Sequence, residues 1–165
     1  MKLISTLTIL AAAISMGTLK ATPAHANDSD DATTMQISPD DSRPAGAGPA
    51  ETFTGDVTVK PLFDPTGVRT FGSAEVSFTP CARTAWHTHP GGQTLIVTTG
   101  DGWIQQWGGE KHAIHPGDVI WTPPGVKHWH GATKTTAMTH IAIQASIDGT
   151  PVNWLEHVSD ADYLG

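Results

Sequence analysis

The chain has 165 residues and a formal net charge of −7 at pH 7, and its length suits one folded domain. Sixteen acidic residues against nine basic ones give the surface a field that repels phosphate, so we expect no nucleic-acid partner. No apolar run reaches the about 20 residues that a membrane-spanning helix needs. We therefore expect no membrane contact for the mature form.

The first 26 residues have the pattern of a secretory signal. Lys2 supplies a positive start, residues 3–16 are mostly apolar, and residues 24–26 read Ala-His-Ala, a site that suits signal peptidase. An amphipathic or buried N-terminal helix is the alternative. We predict cleavage after Ala26 and a periplasmic or secreted mature protein.

Residues 27–50 contain acidic, small and turn-forming residues and scarcely any large apolar side chain. Such a segment buries too little surface to offset the entropy lost on ordering, so we predict a flexible acidic leader here and a folded domain over residues 51–165. The single cysteine, Cys81, cannot form an internal disulfide. We expect its thiol to be buried, with a free surface thiol as the alternative.

Short segments rich in β-branched and aromatic residues follow residue 51, separated by Gly, Pro and Asp turn signals. This pattern predicts an all-β sandwich or barrel, with a short C-terminal helix at residues 159–164. Alternation along one segment places Ala74, Val76 and Phe78 on the same face. The predicted strands cover residues 55–63, 71–79, 84–89, 93–99, 102–107, 111–115, 118–122, 127–131 and 136–147.

Histidines are concentrated in the predicted strands. His87 and His89 share one face of a strand, and the turn at residues 90–92 lets Gln93 follow on the next strand. A Pro-Gly turn delivers His128 onto a later strand. A lone strand histidine is more often bonded to the backbone than to a metal. Three imidazoles and an amide oxygen at this spacing nevertheless suit one divalent first-row ion, Mn²⁺ or Fe²⁺, with Zn²⁺ also possible.

The same residues resemble the two sequence motifs of the cupins. Cys81 stands at the opening Gly of the first motif, Gln93 at its Glu, and Ala132 at the closing Asn of the second motif. The resemblance implies a single-domain cupin β-barrel, also described as a double-stranded β-helix or jelly roll. Seven of the ten signature positions match, namely His87, His89, Gly100, Gly117, Pro123, Gly125 and His128.

Longer strings are similar to the small bacterial cupins with R-selective hydroxynitrile lyase activity. In those proteins the Glu ligand is also replaced by Gln, so the resemblance implies a Mn²⁺ site formed by His87, His89, Gln93 and His128. A neutral ligand set leaves the ion its full double charge and makes it a stronger Lewis acid. The similar strings cover residues 82–90, 92–98, 114–119, 127–132 and 136–140.

Three further residues are candidates for chemistry. His140 has the inward phase of the last long strand, where a neutral imidazole with a pKa near neutrality would take a hydroxyl proton; a backbone-bonded core histidine is the alternative. Thr84 and Gln144 offer a hydroxyl and an amide to a bound ligand. His130 shares the face of His128 and is either structural or a residue that orients a ligand. We expect the tryptophans, among them Trp86, Trp103, Trp121 and Trp129, to lie in the core.

These residues predict a metal-dependent lyase that cleaves or forms cyanohydrins of the mandelonitrile type. The metal would polarise the substrate oxygen, His140 would take the hydroxyl proton, and cyanide would leave. A metal-dependent cupin oxygenase and a non-catalytic exported cupin that binds a small ligand are the alternatives. We expect a small-molecule substrate and a homo-oligomeric assembly.

Overall fold

The computed structural model describes residues 34–165, and the predicted signal sequence lies outside that range. Two antiparallel sheets and one short helix make up this part of the chain, which confirms the predicted all-β class. A 3-10 helix, Asp40–Ser42, precedes the first strand. The strands are β1 Gly46–Ala47, β2 Phe53–Thr54, β3 Val57–Phe63, β4 Phe71–Phe78, β5 Arg83–Thr84, β6 His87–Thr88, β7 Gln93–Gly100, β8 Gly102–Gln106, β9 Lys111–Ile114, β10 Val119–Thr122, β11 His128–Ala132, β12 Met138–Ala145 and β13 Asn153–Trp154, followed by the helix α1 Asp160–Leu164.

The two sheets bring distant parts of the chain together. The first sheet has the order β1-β3-β4-β12-β7-β10, so the last long strand lies at its centre between β4 and β7. The second has the order β13-β6-β11-β5-β2, and β8 pairs with both β11 and β9. Strands β7, β11 and β12, which carry the predicted site residues Gln93, His128 and His140, are therefore placed beside one another or across the interior.

Two details differ from the predicted strands. The segment predicted as one strand over residues 84–89 is two short strands, β5 and β6, interrupted at Ala85 and Trp86. Strands β1, β2 and β13 are two residues long, too short for an alternation pattern to be recognised.

The first strand lies ahead of residue 51, where the sequence places the start of the domain. Gly46 pairs with Val59 and Ala47 with Thr58 at the edge of the first sheet. The mobility of residues 27–50 and cleavage after Ala26 stay predictions. Within residues 34–165 no helix has the length and hydropathy of a membrane span.

The C-terminal helix is docked by a second, aromatic core. Tyr163 is 2% exposed and packs with Trp86, Trp129 and Val158. The helix begins after Ser159, whose Oγ accepts a hydrogen bond from the Asp162 backbone N–H (3.1 Å). The predicted short helix is thus confirmed.

Four side chains that the sequence predicts to be buried are exposed: Cys81 and three tryptophans, Trp107, Trp121 and Trp154. Cys81 lies on the surface with a φ of 70°, a left-handed conformation that explains why the related motif has Gly at this position. The predicted burial of the Cys81 thiol is wrong, because Cys81 lies in a turn at the surface and not in a strand. Trp121 is 57% exposed, because it lies on the edge strand β10 and points away from the interior.

Candidate metal centre

A cavity of about 130 Å³ lies between the two sheets. It is lined by six of the seven predicted site residues, and His128, the seventh, borders a neighbouring groove. Alternation along β7 and β12 aims Gln93, His140 and Gln144 inward, as the sequence predicts. Thr84, His87 and His89 come from the short strands β5 and β6 and the residue that follows them. The lining residues are Phe53, Val59, Ala74, Val76, Thr84, His87, His89, Gln93, His130, His140, Ala142, Gln144, Val152 and Trp154.

Three of the predicted metal ligands are oriented by backbone carbonyls. The Nδ1–H of His87 donates to the Ala85 oxygen (2.9 Å), and that of His128 donates to the Val126 oxygen (3.0 Å). His89 donates from Nδ1 to the Pro151 oxygen (2.7 Å). Because a carbonyl only accepts, each neutral ring carries its proton on Nδ1 and leaves Nε2 with a lone pair, the form that binds a metal ion.

The structure groups one histidine beyond the predicted set. Ligand nitrogens of His87, His128 and His130 all lie within 4.8 Å of one another. These three imidazoles could hold a metal ion. His89 is outside this group, although its ring centroid is 5.0 Å from that of His87 and 5.6 Å from that of His128. The sequence gives His130 only an orienting or structural role, because the motif spacing identifies His128 alone on β11.

Gln93 completes the wall beside His128. Its Oε1 lies 3.2 Å from His128 Nε2. Since His128 Nε2 is unprotonated in the tautomer fixed by Val126, two lone pairs face each other. A cation between them would relieve this repulsion, and two donors at about 2.1 Å from an ion and at right angles lie about 3.0 Å apart. The residues present therefore fit a divalent ion.

Burial keeps the imidazoles neutral. Desolvation lowers the pKa of His128 to about 4 and holds the pKa of His87 and His130 well below the usual range, with neighbouring histidines adding to the effect. Burial also lowers the pKa of His89. None of the described residues that line the cavity carries a carboxyl group. The donors accordingly bring no negative charge to a bound cation.

His140 is fully buried and bonded to another histidine. Its Nε2 lies 3.2 Å from Nδ1 of His130, and the Phe78 ring packs 5.5 Å from its own. Burial lowers the pKa of His140 to about 3, so the expected pKa near neutrality is wrong: the ring lies in the interior, away from any compensating acid.

The His130–His140 hydrogen bond has two tautomeric arrangements. If His130 donates from Nδ1, its Nε2 has a lone pair and can join the metal ligands. If His140 donates from Nε2, its Nδ1 has the lone pair and can accept a proton. Both His130 Nε2 and His140 Nδ1 are buried without a partner among the described residues.

Thr84 and Gln144 lie where the sequence predicts them. The His130 backbone N–H donates to Thr84 Oγ1 (3.2 Å), which leaves the hydroxyl proton of Thr84 free to donate. Gln144 pairs with Gln93 in the β7–β12 register, and its Oε1 is buried without a partner within the described chain. Buried polar atoms without partners are rare in proteins, so their concentration here indicates a ligand site.

The apolar part of the lining is not predicted from the sequence. Phe53 and Trp154 belong to the two-residue strands β2 and β13, and Val152 to the loop before β13. The sequence around Trp154 shows no alternation of apolar and polar residues. Only the pairing of β13 with β6 places Trp154 at the cavity.

Comparison with known families identifies the class of this barrel. The sequence family of the cupin domain matches residues 74–143, a range that includes the histidines from β6 to β12. A cupin-like protein from Thermotoga maritima has a TM-score of 0.68 and 43% identity, over 71% of this chain and 89% of that one. The chain belongs to the cupin superfamily.

Among the cupins, a curated relative is more similar still. An (R)-mandelonitrile lyase from Granulicella tundricola is 57% identical over 129 residues, which cover 78% of this chain and 98% of that protein. A polyketide cyclase from Streptomyces resistomycificus has a TM-score of 0.57 at 20% identity, over 79% of this chain and 91% of that one. That second likeness concerns the fold alone.

Proposed function

We propose that the protein is a hydroxynitrile lyase that cleaves or forms cyanohydrins of the mandelonitrile type. The observation that carries the proposal is the group of buried, neutral imidazoles with unpartnered nitrogens around one cavity. Breaking a cyanohydrin requires a base for the hydroxyl proton and a positive charge near the oxygen. The identity of 57% with an (R)-mandelonitrile lyase supports the same reaction.

His87, His89, Gln93 and His128 would hold one divalent ion, and Mn²⁺ suits this mixed nitrogen and oxygen set. When bound, the ion supplies Lewis-acid polarisation of the substrate oxygen. In this arrangement His130 is outside the ligand set and donates no lone pair to the ion. Its Nδ1 is then available to accept the hydrogen bond from His140 Nε2.

His140 takes the hydroxyl proton at Nδ1. As the O–H bond breaks, the carbonyl forms and the electrons of the carbon–carbon bond leave with cyanide. A ring whose pKa is about 3 is a strong acid once protonated, so it passes the proton on to cyanide and returns to its neutral form. In the direction of synthesis, the same proton moves from HCN through His140 to the new hydroxyl group.

Thr84 and Gln144 orient the substrate. The free hydroxyl proton of Thr84 is a donor toward an oxygen or nitrile nitrogen, while the Gln144 amide offers an acceptor or a donor from β12. Because both side chains lie within the same cavity as His140, they restrict the substrate to poses in which the hydroxyl group meets His140.

We further propose that the chain is exported, with cleavage after Ala26, and acts as a homo-oligomer. The charged start, the apolar stretch at 3–16 and the small residues at 24–26 support export. Intact mass of the protein recovered from the periplasm tests the cleavage position.

The test compares metal content and mandelonitrile cleavage in one set of samples. Mature protein loaded with Mn²⁺ should hold close to one ion per chain and release benzaldehyde. His128→Ala should lose most of the metal and at least about 90% of the cleavage, since the remaining donors bind more weakly. His115→Ala, an exposed histidine outside the cavity and the groove that His128 borders, is the matched control and should keep both. Full cleavage by metal-free His128→Ala would reject the metal site.

A further inference from the structure

The cavity has two unlike walls. The segment that begins at β6 and strands β7, β11 and β12 supply the imidazoles and amides, with one small apolar side chain, Ala142, on β12. Strands β2, β3 and β4 and the segment around β13 supply the other apolar side chains. The apolar wall consists of Phe53, Val59, Ala74, Val76, Val152 and Trp154. A substrate with one polar carbon and one apolar substituent would match this division.

Sheet pairing explains why the apolar residues meet at one end. Strands β2 and β13 both flank the same broken strand: Phe53 pairs with Thr84 on β5, and Trp154 pairs with His87 on β6. The Phe53 and Trp154 rings are consequently neighbours, with centroids 5.7 Å apart. In the facing sheet Val59 pairs with Val76.

Trp154 lies at the rim of this wall. It is 38% exposed, whereas Phe53 and Val76 on the same wall are buried. Its inner edge contacts the site, because the ring centroid is 4.8 Å from that of His87. The backbone that follows is fixed by two hydrogen bonds to Trp86, one donated by Leu155 N–H and one accepted by the Glu156 oxygen (both 2.9 Å). The indole packs against His87 and Phe53 beside this ordered backbone and lies between the cavity and solvent.

The cavity volume limits what fits behind this barrier. A cavity of about 130 Å³ is close to the roughly 150 Å³ of an apolar protein cavity that takes up benzene. This volume includes the space beside the polar wall, so the apolar end accepts at most one six-membered ring, and a fused bicyclic ring would extend to the position of the indole. An aromatic ring also gains from an edge-to-face contact with the Trp154 and Phe53 rings.

We propose that Trp154 is the specificity-determining residue of the site: its indole closes the apolar end and restricts the substrate to cyanohydrins that carry a single aromatic ring. This inference rests on the proposed lyase function. It assigns Trp154 a contact with the substituent of the substrate, away from the carbon that reacts.

The test uses Trp154→Ala and two substrates, mandelonitrile and the cyanohydrin of 2-naphthaldehyde. The ratio of kcat/KM for the naphthyl over the phenyl substrate should rise at least about tenfold, within the range that pocket changes produce. Trp154→Phe keeps an aromatic barrier and should shift the ratio less. Trp107→Ala, an exposed tryptophan outside both the cavity and the groove that His128 borders, is the control and should leave the ratio unchanged. If Trp154→Ala does not fold, Trp154→Leu replaces it.

A second readout separates this inference from the lyase proposal. Benzyl alcohol and 2-naphthylmethanol carry the same rings and a hydroxyl group but no cyanide, and their binding to metal-loaded protein is measured by NMR titration. A shift of the binding ratio toward the naphthyl alcohol without any cleavage would retain the role of Trp154 and reject the lyase. An unchanged ratio in both assays, with metal content equal to that of wild type, would overturn the role of Trp154.

Discussion

At the residue scale, the imidazoles are prepared by the backbone around them. His87 and His128 each donate from Nδ1 to the carbonyl two residues earlier, Ala85 and Val126 respectively. This local bond needs no partner from elsewhere in the fold and is set by the chain conformation before each histidine. The same tautomer then arises on two separate strands, which leaves Nε2 directed into the site.

Replacement of His140 tests its part in proton transfer. His140→Ala should lower mandelonitrile cleavage by about 10²- to 10⁴-fold, the effect expected for loss of a general base, while the metal content stays near one ion per chain. Steady-state kinetics and elemental analysis on the same samples measure both. His157→Ala, a histidine outside the cavity lining, serves as the control. Wild-type turnover in a folded, metal-loaded His140→Ala protein would show that another group accepts the hydroxyl proton of the substrate.

Cys81 stores backbone strain that glycine would relieve. A left-handed conformation costs a residue with a Cβ about 1 kcal/mol, whereas glycine adopts it freely. Cys81→Gly and Cys81→Ala both remove the thiol contact with the Lys134 oxygen (3.4 Å), so their difference isolates the backbone. We expect Cys81→Gly to be more stable than Cys81→Ala by up to about 1 kcal/mol in urea denaturation. The relief of strain is partly cancelled, because glycine makes the unfolded chain more flexible. If Cys81→Gly were only as stable as Cys81→Ala, or less stable, the backbone at residue 81 would not be strained.

At the element scale, the helix α1 is held by one tyrosine. The Tyr163 hydroxyl donates to the Ala132 oxygen of β11 (2.9 Å), and the Arg83 guanidinium lies 4.5 Å over its ring. Arg83 also binds Asp160 at the start of the helix (2.6 Å). The helix thereby closes the end of the second sheet over the aromatic core.

This docking predicts a loss of stability at high pH. Burial raises the pKa of Tyr163 to about 12, so its contribution is complete below the unfolded pKa of about 10 and is lost as the pH rises from 10 toward 12. Tyr163→Phe should cost about 1 kcal/mol at pH 8 through the lost hydrogen bond. At pH 11 the wild type should have lost on the order of 1 kcal/mol of stability through ionisation of Tyr163, a loss that Tyr163→Phe does not undergo. Urea denaturation at both pH values measures the difference in unfolding free energy between wild type and Tyr163→Phe. The same difference at pH 8 and pH 11 would contradict the prediction.

Elements differ in how far the sequence predicts them. The long strands β4, β7 and β12 carry enough alternation for their position and inward faces to be predicted. Strands β1, β2 and β13 do not, because two residues contain no period and their pairing depends on neighbours far along the chain. Phe53 and Trp154 are missing from the predicted site for this reason.

At the scale of the whole molecule, the sequence predicts those site residues that the spacing within the two motifs determines. The motifs identify His87, His89, Gln93 and His128 because cupin strands place these positions around one point. The His130–His140 hydrogen bond and the low pKa of His140 depend on which strands face each other and on burial, which local sequence does not record. The apolar wall, for the same reason, follows only from the assembled sheets.

The central claim is that this cavity breaks a carbon–carbon bond without oxidation. The most direct measurement follows benzaldehyde release and dissolved oxygen side by side, with (R)- and (S)-mandelonitrile, before and after the metal is removed by chelation. We predict equal amounts of benzaldehyde and cyanide, a preference for the R enantiomer, no oxygen uptake, and loss of activity on chelation that Mn²⁺ restores. Oxygen consumption that matches substrate loss, or no cleavage above that of the chelated protein, would contradict the account.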